Sequence, residues 1–356
     1  MSAAIVPGLV LAFIVALAAI VALRRSAIAD RLVDEPNERS LHRDPRPRIG
    51  GLGILAGALP VAAVLAPNEA RLYAGIAAAV AAVCAFDDAA SLPVASRLGT
   101  HLVAAALAVF TAGPSAGGVA MALVAILGIA WIANLYNFMD GADGLAGGMA
   151  VIGFATLAIA AARAGDPGIA LLAGALGAAA LAFLAFNFPP ASIFMGDAGS
   201  VPLGFLAGAI GWHGVARGLW PAWFPVLAFS PFVVDATVTL ARRLAAREPV
   251  WKAHRSHYYQ RLVLGGWSHR RLALAQWTVM AAAGASALAA LGASAERQSA
   301  ILAAWVLAYG AIGFAIDRRH PRSPAQQGAA LRDMEPQKNN RAPRTAAERP
   351  AGRTKP

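Results

Sequence analysis

The chain alternates between long apolar runs and short polar interruptions, and this pattern predicts a helical membrane protein. A membrane-spanning helix needs about 20 consecutive apolar residues, and a packed bundle tolerates somewhat shorter runs. We therefore predict an all-α, polytopic membrane protein with about 11 transmembrane helices. The predicted spans cover residues 3–23, 49–66, 72–86, 99–112, 118–134, 145–162, 168–186, 200–216, 220–241, 271–292 and 299–316.

The amino-acid composition supports this class. Hydrophobic residues make up 58% of the chain and charged residues only 14%, whereas a soluble domain carries about 25% charged residues. Abundant Ala and Gly allow helices to pack closely within a membrane. The single cysteine, Cys84, excludes a disulfide framework within the chain and a cysteine-based metal cage. We interpret it as a buried small hydrophobe.

A net charge of +11 is typical of nucleic-acid-binding proteins, but the positions of the charges favour another explanation. The first span has no positive residue before it and Arg24-Arg25 after it, so the N-terminus is predicted outside and the C-terminus in the cytoplasm. Counted on the predicted loops, 26 of the 30 Lys and Arg residues then lie on the cytoplasmic side. The positive charge therefore indicates membrane orientation, and no nucleic-acid partner is expected.

Two domains are predicted from this division. Residues 1–316 form the transmembrane domain, and residues 317–356 form a basic, polar cytoplasmic tail that lacks the apolar residues for a core and is expected to be disordered. The tail either assists orientation or is attracted to anionic lipid headgroups. The sequence shows no convincing internal repeat, so a transporter built from inverted repeats lacks its usual sequence support.

Four polar side chains crowd the interruption at residues 134–145: Asn134, Asn137, Asp140 and Asp143. If the segment is helical, the two carboxylates project from one face. The glycines between them let the backbone approach a ligand closely. This combination suits a phosphate-bearing substrate or a hard cation such as Mg²⁺.

Two other interruptions carry acids. Asp87 and Asp88 follow the third span, where a cation or an arginine would relieve their mutual repulsion. The pair can bind a metal or act as a base. The alternative is that the two carboxylates only keep the helix end in contact with water. Asp197 precedes the eighth span, beside helix amides that attract phosphate, and is a candidate Mg²⁺ ligand or a helix cap. The aromatic ring of Phe194 can stack on a nucleobase.

Basic residues define the remaining two clusters. Arg48 lies before the second span, where it can grip phosphate oxygens or serve as an orientation signal. His254 and His257 are predicted to share a helical face, with Arg255 between them. A zinc site usually needs three or four ligands, and no third ligand of suitable spacing follows, so a phosphate clamp is the better interpretation. A basic cytoplasmic loop without a ligand is the alternative.

One acid lies inside an apolar run. Asp235 falls in the ninth span, where a central charge costs about 2.5–3.5 kcal/mol, so it should face the bundle interior or lie near the cytoplasmic end. In that position it would extend the predicted polar site toward the interior of the bundle. The remaining histidines have no partner in the sequence and receive no role: His101, His213, His269 and His320.

In this order, the motifs at 87–88, 134–145 and 194–200 resemble those of the polyprenyl-phosphate UDP-N-acetylhexosamine-1-phosphate transferase family. That family includes translocase I of peptidoglycan synthesis and the transferases that initiate O-antigen and enterobacterial common antigen. The resemblance covers about residues 1–316. The run from His254 to His257 is similar to the version in O-antigen-initiating enzymes and departs from the triple histidine of translocase I. An N-acetylhexosamine donor is therefore expected, with muramyl-peptide transfer as the alternative.

The resemblance implies that a UDP-sugar and undecaprenyl phosphate react to give undecaprenyl-diphospho-sugar and UMP. It assigns Mg²⁺, or Mn²⁺ in its place, to Asp197, and uracil stacking to Phe194. Residues 137–143 are assigned to the nucleoside and diphosphate, and the histidine loop to the sugar and phosphate end. Asp87 and Asp88 are assigned to the lipid phosphate, with Asp87 as the proposed base.

The same resemblance implies a place in the cell. The protein is expected in the lipid bilayer of a bacterial inner membrane, with its active site at the cytoplasmic face and a homodimer as one form of assembly. Which N-acetylhexosamine is transferred, which glycan is built and the oligomeric state are all left open by the sequence.

Two other classes of protein compete with the enzyme. A cation- or proton-coupled transporter would place carboxylates near the bilayer midplane, and only Asp235 fits that description. A scaffold subunit without catalysis would leave the Asn, Asp and Gly clusters unexplained. Release of UMP from a UDP-sugar is predicted by the enzyme hypothesis alone.

Overall fold

The computed structural model describes residues 2–36, 41, 44–90, 92–113, 117–250 and 254–321. In these ranges the chain is helical apart from one antiparallel pair, β1 (Val33–Asp34) and β2 (Arg46–Pro47). The all-α prediction is therefore confirmed. Part of the first polar cluster (37–40 and 42–43) and most of the predicted tail (322–356) lie outside the described residues.

Each predicted span coincides with a helix, except that the ninth is divided into two. Eight helices (α1, α4 to α8, α13 and α14) are long and apolar enough to cross a membrane. A multi-pass membrane protein is thereby supported, whereas the count of 11 stays a prediction, because α3 is short, α9 is not among the eight, and α10 and α11 are separated at Phe229. The helices are α1 (Ser2–Arg24), α2 (Ala27–Arg31), α3 (Gly50–Leu65), α4 (Asn68–Ala90), α5 (Val94–Ala112), α6 (Gly118–Phe138), α7 (Leu145–Arg163), α8 (Pro167–Asn187), α9 (Asp197–Ala216), α10 (Trp223–Ala228), α11 (Ser230–Ala245), α12 (Tyr258–Leu264), α13 (His269–Ala290) and α14 (Ala295–Arg319).

Local sequence explains several helix ends. Asp166 caps α8, because its Oδ1 accepts a hydrogen bond from the Ile169 N–H at 2.9 Å and Pro167 occupies the first helical turn. Gly144 and Gly196 stand directly before α7 and α9 with φ of 73° and 76°. Residues that carry a side chain rarely adopt that backbone conformation, so glycine at these two positions lets the chain turn sharply into each helix.

Close helix packing places α3 against the entrance of α9. Gly51 in α3 meets Gly199 in α9 so closely that a Cβ on either residue would overlap the Cα of the other. The N–H groups of Gly50 and Gly51 donate to the carbonyls of Phe194 and Met195, both at 2.9 Å. These contacts fix the loop before α9 against the start of α3.

The polar segment between α6 and α7 corrects one prediction. Helix α6 ends at Phe138 and α7 begins at Leu145, so Asp140 and Asp143 stand in a turn and do not share a helical face. Glycine is a poor helix former, and the two glycines of this turn, Gly141 and Gly144, favour a break in the helix.

Helix α14 extends beyond residue 316, the predicted end of the last span. Asp317 lies inside α14, which continues to Arg319. Its carboxylate pairs with Arg242 at 2.6 Å and with Arg261 at 2.7 Å, so ion pairs to α11 and α12 support the last turn of the helix.

Candidate active site

The polar ends of several helices surround one cavity of about 920 Å³. Of the twelve residues predicted to form a site, ten line this cavity: Arg48, Asp87, Asn134, Asn137, Asp140, Asp143, Phe194, Asp197, His254 and His257. Asp88 and Arg255 are outside the described lining. Asp88 nevertheless contacts a lining residue, because its carboxylate pairs with Arg48 at 3.4 Å.

Asn137 connects α6 to the start of α9. Its Oδ1 accepts a hydrogen bond from the Ser200 hydroxyl at 2.8 Å, and its side chain also hydrogen-bonds to Asp197. Since the amide oxygen is engaged by the hydroxyl, the amide nitrogen is the group that donates to the carboxylate. The two contacts orient both the asparagine and Asp197, the first residue of α9.

Asp140 lies beside Asp197 and receives a hydrogen bond from the Gly196 N–H. Burial, followed by the nearby carboxylates of Asp197 and Asp34, raises the pKa of Asp140 well above its usual range, and the Gly196 N–H only partly opposes this. A cation bound here would stabilise the ionised form of Asp140.

Arginines hold the acid pair at the end of α4. Asp87 pairs with Arg97 at 3.5 Å and accepts a hydrogen bond from the Leu92 N–H at 2.6 Å. Asp88 pairs with Arg48, whose buried Nε has no hydrogen-bond partner among the described residues. The mutual repulsion of two adjacent carboxylates is thus relieved by guanidinium groups from two other parts of the chain.

The donor set around Asp140 and Asp197 fits Mg²⁺. Within the described part of the chain, no three His, Cys, Asp or Glu side chains are grouped so that they would hold a metal by themselves. Zinc usually needs such a group. Mg²⁺ instead binds through one or two carboxylates and completes its coordination with water and substrate phosphates. Two neighbouring carboxylates in an acid-rich cavity are therefore suited to Mg²⁺.

The histidine loop differs from its predicted form. Residues 254–256 are not helical and α12 starts at Tyr258, so His254 and His257 do not share a helical face. Their ring centroids are nevertheless 4.9 Å apart, and both residues line the cavity. Ser256 orients the first ring through a contact of 2.9 Å between its Oγ and Nδ1 of His254.

Asp235 is buried in the bundle interior, as predicted, and is only 5% exposed. Its carboxylate accepts hydrogen bonds from the N–H groups of Tyr258 and Tyr259 at 2.9 and 3.0 Å. The same carboxylate lies 3.3 Å from Nδ1 of His257. An acid in α11 therefore fixes the start of α12 and one ring of the histidine loop.

Two histidines that received no role from the sequence line the cavity. Nδ1 of His101 lies 2.9 Å from Nδ2 of Asn134, and Nδ1 of His269 lies 3.1 Å from the Asp143 carboxylate. The partners are 33 and 126 residues apart in the sequence. Sequence spacing thus contained no signal that would have revealed either pair.

The other two histidines lie elsewhere. His213 lies near the C-terminal end of α9. It contacts Asp166, which caps α8, and the hydroxyl of Tyr73 in α4, each at 3.1 Å, and so connects these three helices. His320 makes its contact through the backbone: its carbonyl accepts a hydrogen bond from Arg261 Nε at 2.9 Å.

One side of the cavity is apolar and reaches the outer surface of the bundle. Side chains of α5 and α11 line it while remaining largely exposed: Val94 at 63%, Leu98 at 48% and Leu244 at 67%. Across this side, Trp131 Nε1 donates to the Thr237 hydroxyl at 3.1 Å, which joins α6 to α11. An apolar chain can therefore reach the acidic part of the cavity from the side of the bundle.

Comparisons with known proteins agree with this geometry. The model for glycosyl transferase family 4 matches residues 70–214, which include the acid pair, the turn after α6 and the start of α9. The chain is 33% identical over 286 residues to a probable undecaprenyl-phosphate N-acetylglucosaminyl 1-phosphate transferase of Bacillus subtilis (strain 168), covering 74% of this chain and 79% of the relative.

Two further relatives differ in how much of this chain they match. The undecaprenyl-phosphate alpha-N-acetylglucosaminyl 1-phosphate transferase of Yersinia pestis is 29% identical over 339 residues, covering 87% of this chain and 91% of the relative. A phospho-N-acetylmuramoyl-pentapeptide-transferase of Anoxybacillus flavithermus (strain DSM 21510 / WK1) is 32% identical, but over 165 residues, 46% of this chain and 49% of the relative. From its motifs, its cavity and these relatives, the chain belongs to glycosyl transferase family 4.

Proposed function

We propose that the protein transfers an N-acetylhexosamine-1-phosphate from a UDP-sugar to undecaprenyl phosphate and releases UMP. An oxygen of the acceptor phosphate forms a bond to the sugar-bearing phosphorus, and the bond from that phosphorus to the oxygen of the departing UMP breaks. The observation that carries the proposal is the single cavity, in which acidic, basic and apolar side chains meet. The relatives named for N-acetylglucosaminyl transfer also match far more of this chain than the muramyl-pentapeptide transferase does.

Mg²⁺, or Mn²⁺ in its place, is the proposed cofactor, held by Asp197 and Asp140. When bound, the cation would offset the charge of the donor diphosphate and stabilise the departing UMP. Asn137 orients Asp197, and the Gly196 N–H orients Asp140, so both carboxylates are positioned before the cation arrives. The supporting observation is the raised pKa of Asp140, since a group that is costly to ionise gains from a cation.

Positive side chains complete the proposed donor site. Phosphoryl transfer depends mainly on alignment and charge stabilisation, with little covalent chemistry for the protein to perform. Arg48 and the histidine loop line the same cavity as the acidic residues. The guanidinium of Arg48, which lines the cavity, would place its positive charge beside a phosphate oxygen. Phe194 would stack on uracil, because its ring lines the same cavity.

The acceptor would approach through the apolar side of the cavity. Undecaprenyl phosphate joins a long apolar chain to an anionic head, and the cavity has an apolar side on α5 and α11 as well as a charged part that includes Arg48 and Arg97. The acceptor phosphate is already ionised at neutral pH, so position matters more than proton removal. Asp87 is the proposed base if one is used, and its contacts with Arg97 and Leu92 hold it at the wall.

The proposed location is the inner membrane of a bacterium, with the N-terminus outside, the C-terminus in the cytoplasm and the active site at the cytoplasmic face. The asymmetry of Lys and Arg on the predicted loops supports this orientation. The product would begin a cell-surface glycan such as O-antigen, and a homodimer is the assembly that the family resemblance favours.

The test is transfer by the purified protein from a panel of UDP-N-acetylhexosamines to undecaprenyl phosphate, with and without Mg²⁺. UMP and a sugar-bearing lipid should form together, only with the cation, and the active donors would define the sugar. Folded protein that yields neither product with any donor would contradict the proposal. Binding of UDP-sugars, measured on the same samples, would show whether such a protein still recognises nucleotides.

A further inference from the structure

A buried carboxylate, Asp235, lies behind the histidine loop and is not one of the twelve residues predicted to form the site. Asp235 is 5% exposed and is not part of the described cavity lining. A charge inside a membrane protein is costly, and it persists where a function or a set of partners requires it. Four groups surround this carboxylate at 2.9–3.3 Å: the backbone N–H groups of Tyr258 and Tyr259, the Thr239 hydroxyl and Nδ1 of His257.

The contact with His257 fixes the chemistry of that ring. An ionised carboxylate only accepts hydrogen bonds, so Nδ1 of His257 must carry the proton that points at Asp235. Nε2 is then the ring nitrogen that remains for other partners, and His257 lines the cavity. The ring stacks on Tyr259 and Phe138, with centroids 5.8 and 6.4 Å away, so its plane is restrained as well.

The backbone of the same residue is also held. The His257 N–H donates to Oε1 of Gln260 at 3.2 Å. The backbone, the ring plane and one ring nitrogen of His257 therefore each have a defined partner. This degree of restraint exceeds what a basic loop facing solvent needs.

We propose that Asp235 is a positioning residue that directs Nε2 of His257 toward the phosphates of the bound UDP-sugar. The inference rests on the proposed function, because it needs an anionic donor in the cavity. With Nδ1 committed to the carboxylate, a protonated ring donates a charge-assisted hydrogen bond from Nε2 to a phosphate oxygen.

A purely structural role for Asp235 makes different predictions. Its two oxygens also accept from the first two N–H groups of α12, so the residue would matter for folding even if His257 had no substrate to meet. In that case, loss of the carboxylate would have the same effect whether or not His257 is present. A double-mutant cycle separates the two roles.

The experiment compares Asp235→Asn, His257→Gln and the double variant in the transfer assay. Asp235→Asn should lower kcat on the order of 10- to 100-fold, the range found for residues that orient a functional histidine, with a smaller effect on the donor KM. In the His257→Gln background, the same change should cost less than about two-fold, because residues that act as a unit are not additive. Equal losses in both backgrounds would overturn the inference.

Thr239→Val is the matched control. It removes another hydrogen bond to the same carboxylate, at 3.2 Å, and leaves the contact between Asp235 and His257 in place. This variant should keep the kcat of the wild type. A loss equal to that of Asp235→Asn would show that general disturbance of the buried carboxylate explains the effect.

A second measurement does not depend on turnover. In wild-type protein carrying ¹⁵N-histidine, the His257 signals should show a protonated Nδ1, with assignment by their loss in His257→Gln. An unprotonated Nδ1 would overturn the inference directly. A wild-type protein that is inactive with every donor would contradict the proposed function instead, and the ring measurement would still decide the placement of His257 by Asp235.

Discussion

The carboxylates of the cavity differ in what surrounds each of them. Guanidinium groups hold Asp87 and Asp88, whereas uncharged N–H donors hold Asp140 and Asp197. Hydrogen bonds from neutral donors orient a carboxylate without neutralising it. The second pair, whose direct hydrogen bonds come from neutral groups, therefore gains more from a bound cation than the first, which explains why acids of the same type are expected to serve different purposes.

At this scale, Asp197→Asn should lower kcat by about 100-fold or more, on the order of the loss seen when a group that stabilises developing charge is removed. Membrane insertion should be unchanged, because asparagine has nearly the same shape. Turnover and thermal unfolding of the purified variants provide the measurement. Asp44→Asn, at an exposed acid outside the described cavity lining, is the control and should behave as wild type. Near-normal turnover by Asp197→Asn would exclude it as a cation ligand.

Asp140 should make cation binding depend on pH. Its pKa is raised in the folded protein, and a bound cation favours the ionised form. Cation binding should therefore release protons, and affinity should rise with pH and fall as the solution is acidified through the raised pKa. Calorimetry in buffers of different ionisation enthalpy measures the released protons. Asp140→Asn should abolish the release, and the same release by that variant would contradict the assignment.

The sequence identified most of the lining residues but not their arrangement. Asn137 and Asp197 stood out because polar residues at the mouths of apolar runs are rare, and a single sequence is enough to show that. The contact of Asp143 with His269 depends on two segments far apart in the chain, which no local pattern records. Arg97 was likewise counted only as a loop charge until the fold placed it against Asp87.

At the scale of elements, the crossing of α3 and α9 depends on two glycines. Gly51→Ala should destabilise the protein by about 1–3 kcal/mol, the usual cost of overpacking, because its Cβ would overlap Gly199. Thermal unfolding in detergent provides the measurement. Gly75→Ala in α4 is the control, since a Cβ there meets nothing within 4 Å. An unfolding midpoint equal to that of the control would show that the two helices separate at little cost.

Apolar runs predicted where the helices are, but not all of their ends. The start of α7 at residue 145 was predicted correctly, whereas the shared helical face considered for Asp140 and Asp143 is absent, because spacing alone cannot show that glycines end the helix. Helix α14 was predicted to stop at residue 316, yet Asp317 continues it through ion pairs with Arg242 and Arg261. Such ends are set by tertiary contacts, and those come from elements distant in sequence.

At the scale of the whole molecule, truncation after residue 321 should keep activity within about two-fold, because the removed segment is polar, basic and too poor in apolar residues to build a core. Truncation after residue 316 is the contrasting variant. It removes Asp317 and the carbonyl of His320, both of which bind Arg261, and should reduce thermal stability. Loss of activity after the shorter truncation, with normal expression, would show that residues 322–356 contribute to function.

The cavity is acidic on one side and apolar on the side that reaches the outer surface of the bundle. The effective concentration of each substrate would therefore be measured differently: for the nucleotide it is the molarity in water, and for the lipid it is the mole fraction in the bilayer. In proteoliposomes, diluting the whole suspension at a fixed nucleotide concentration should leave the turnover number unchanged. Adding inert phospholipid to the same vesicles should lower it. The KM for the acceptor should therefore be expressed as a surface density of the lipid in the membrane.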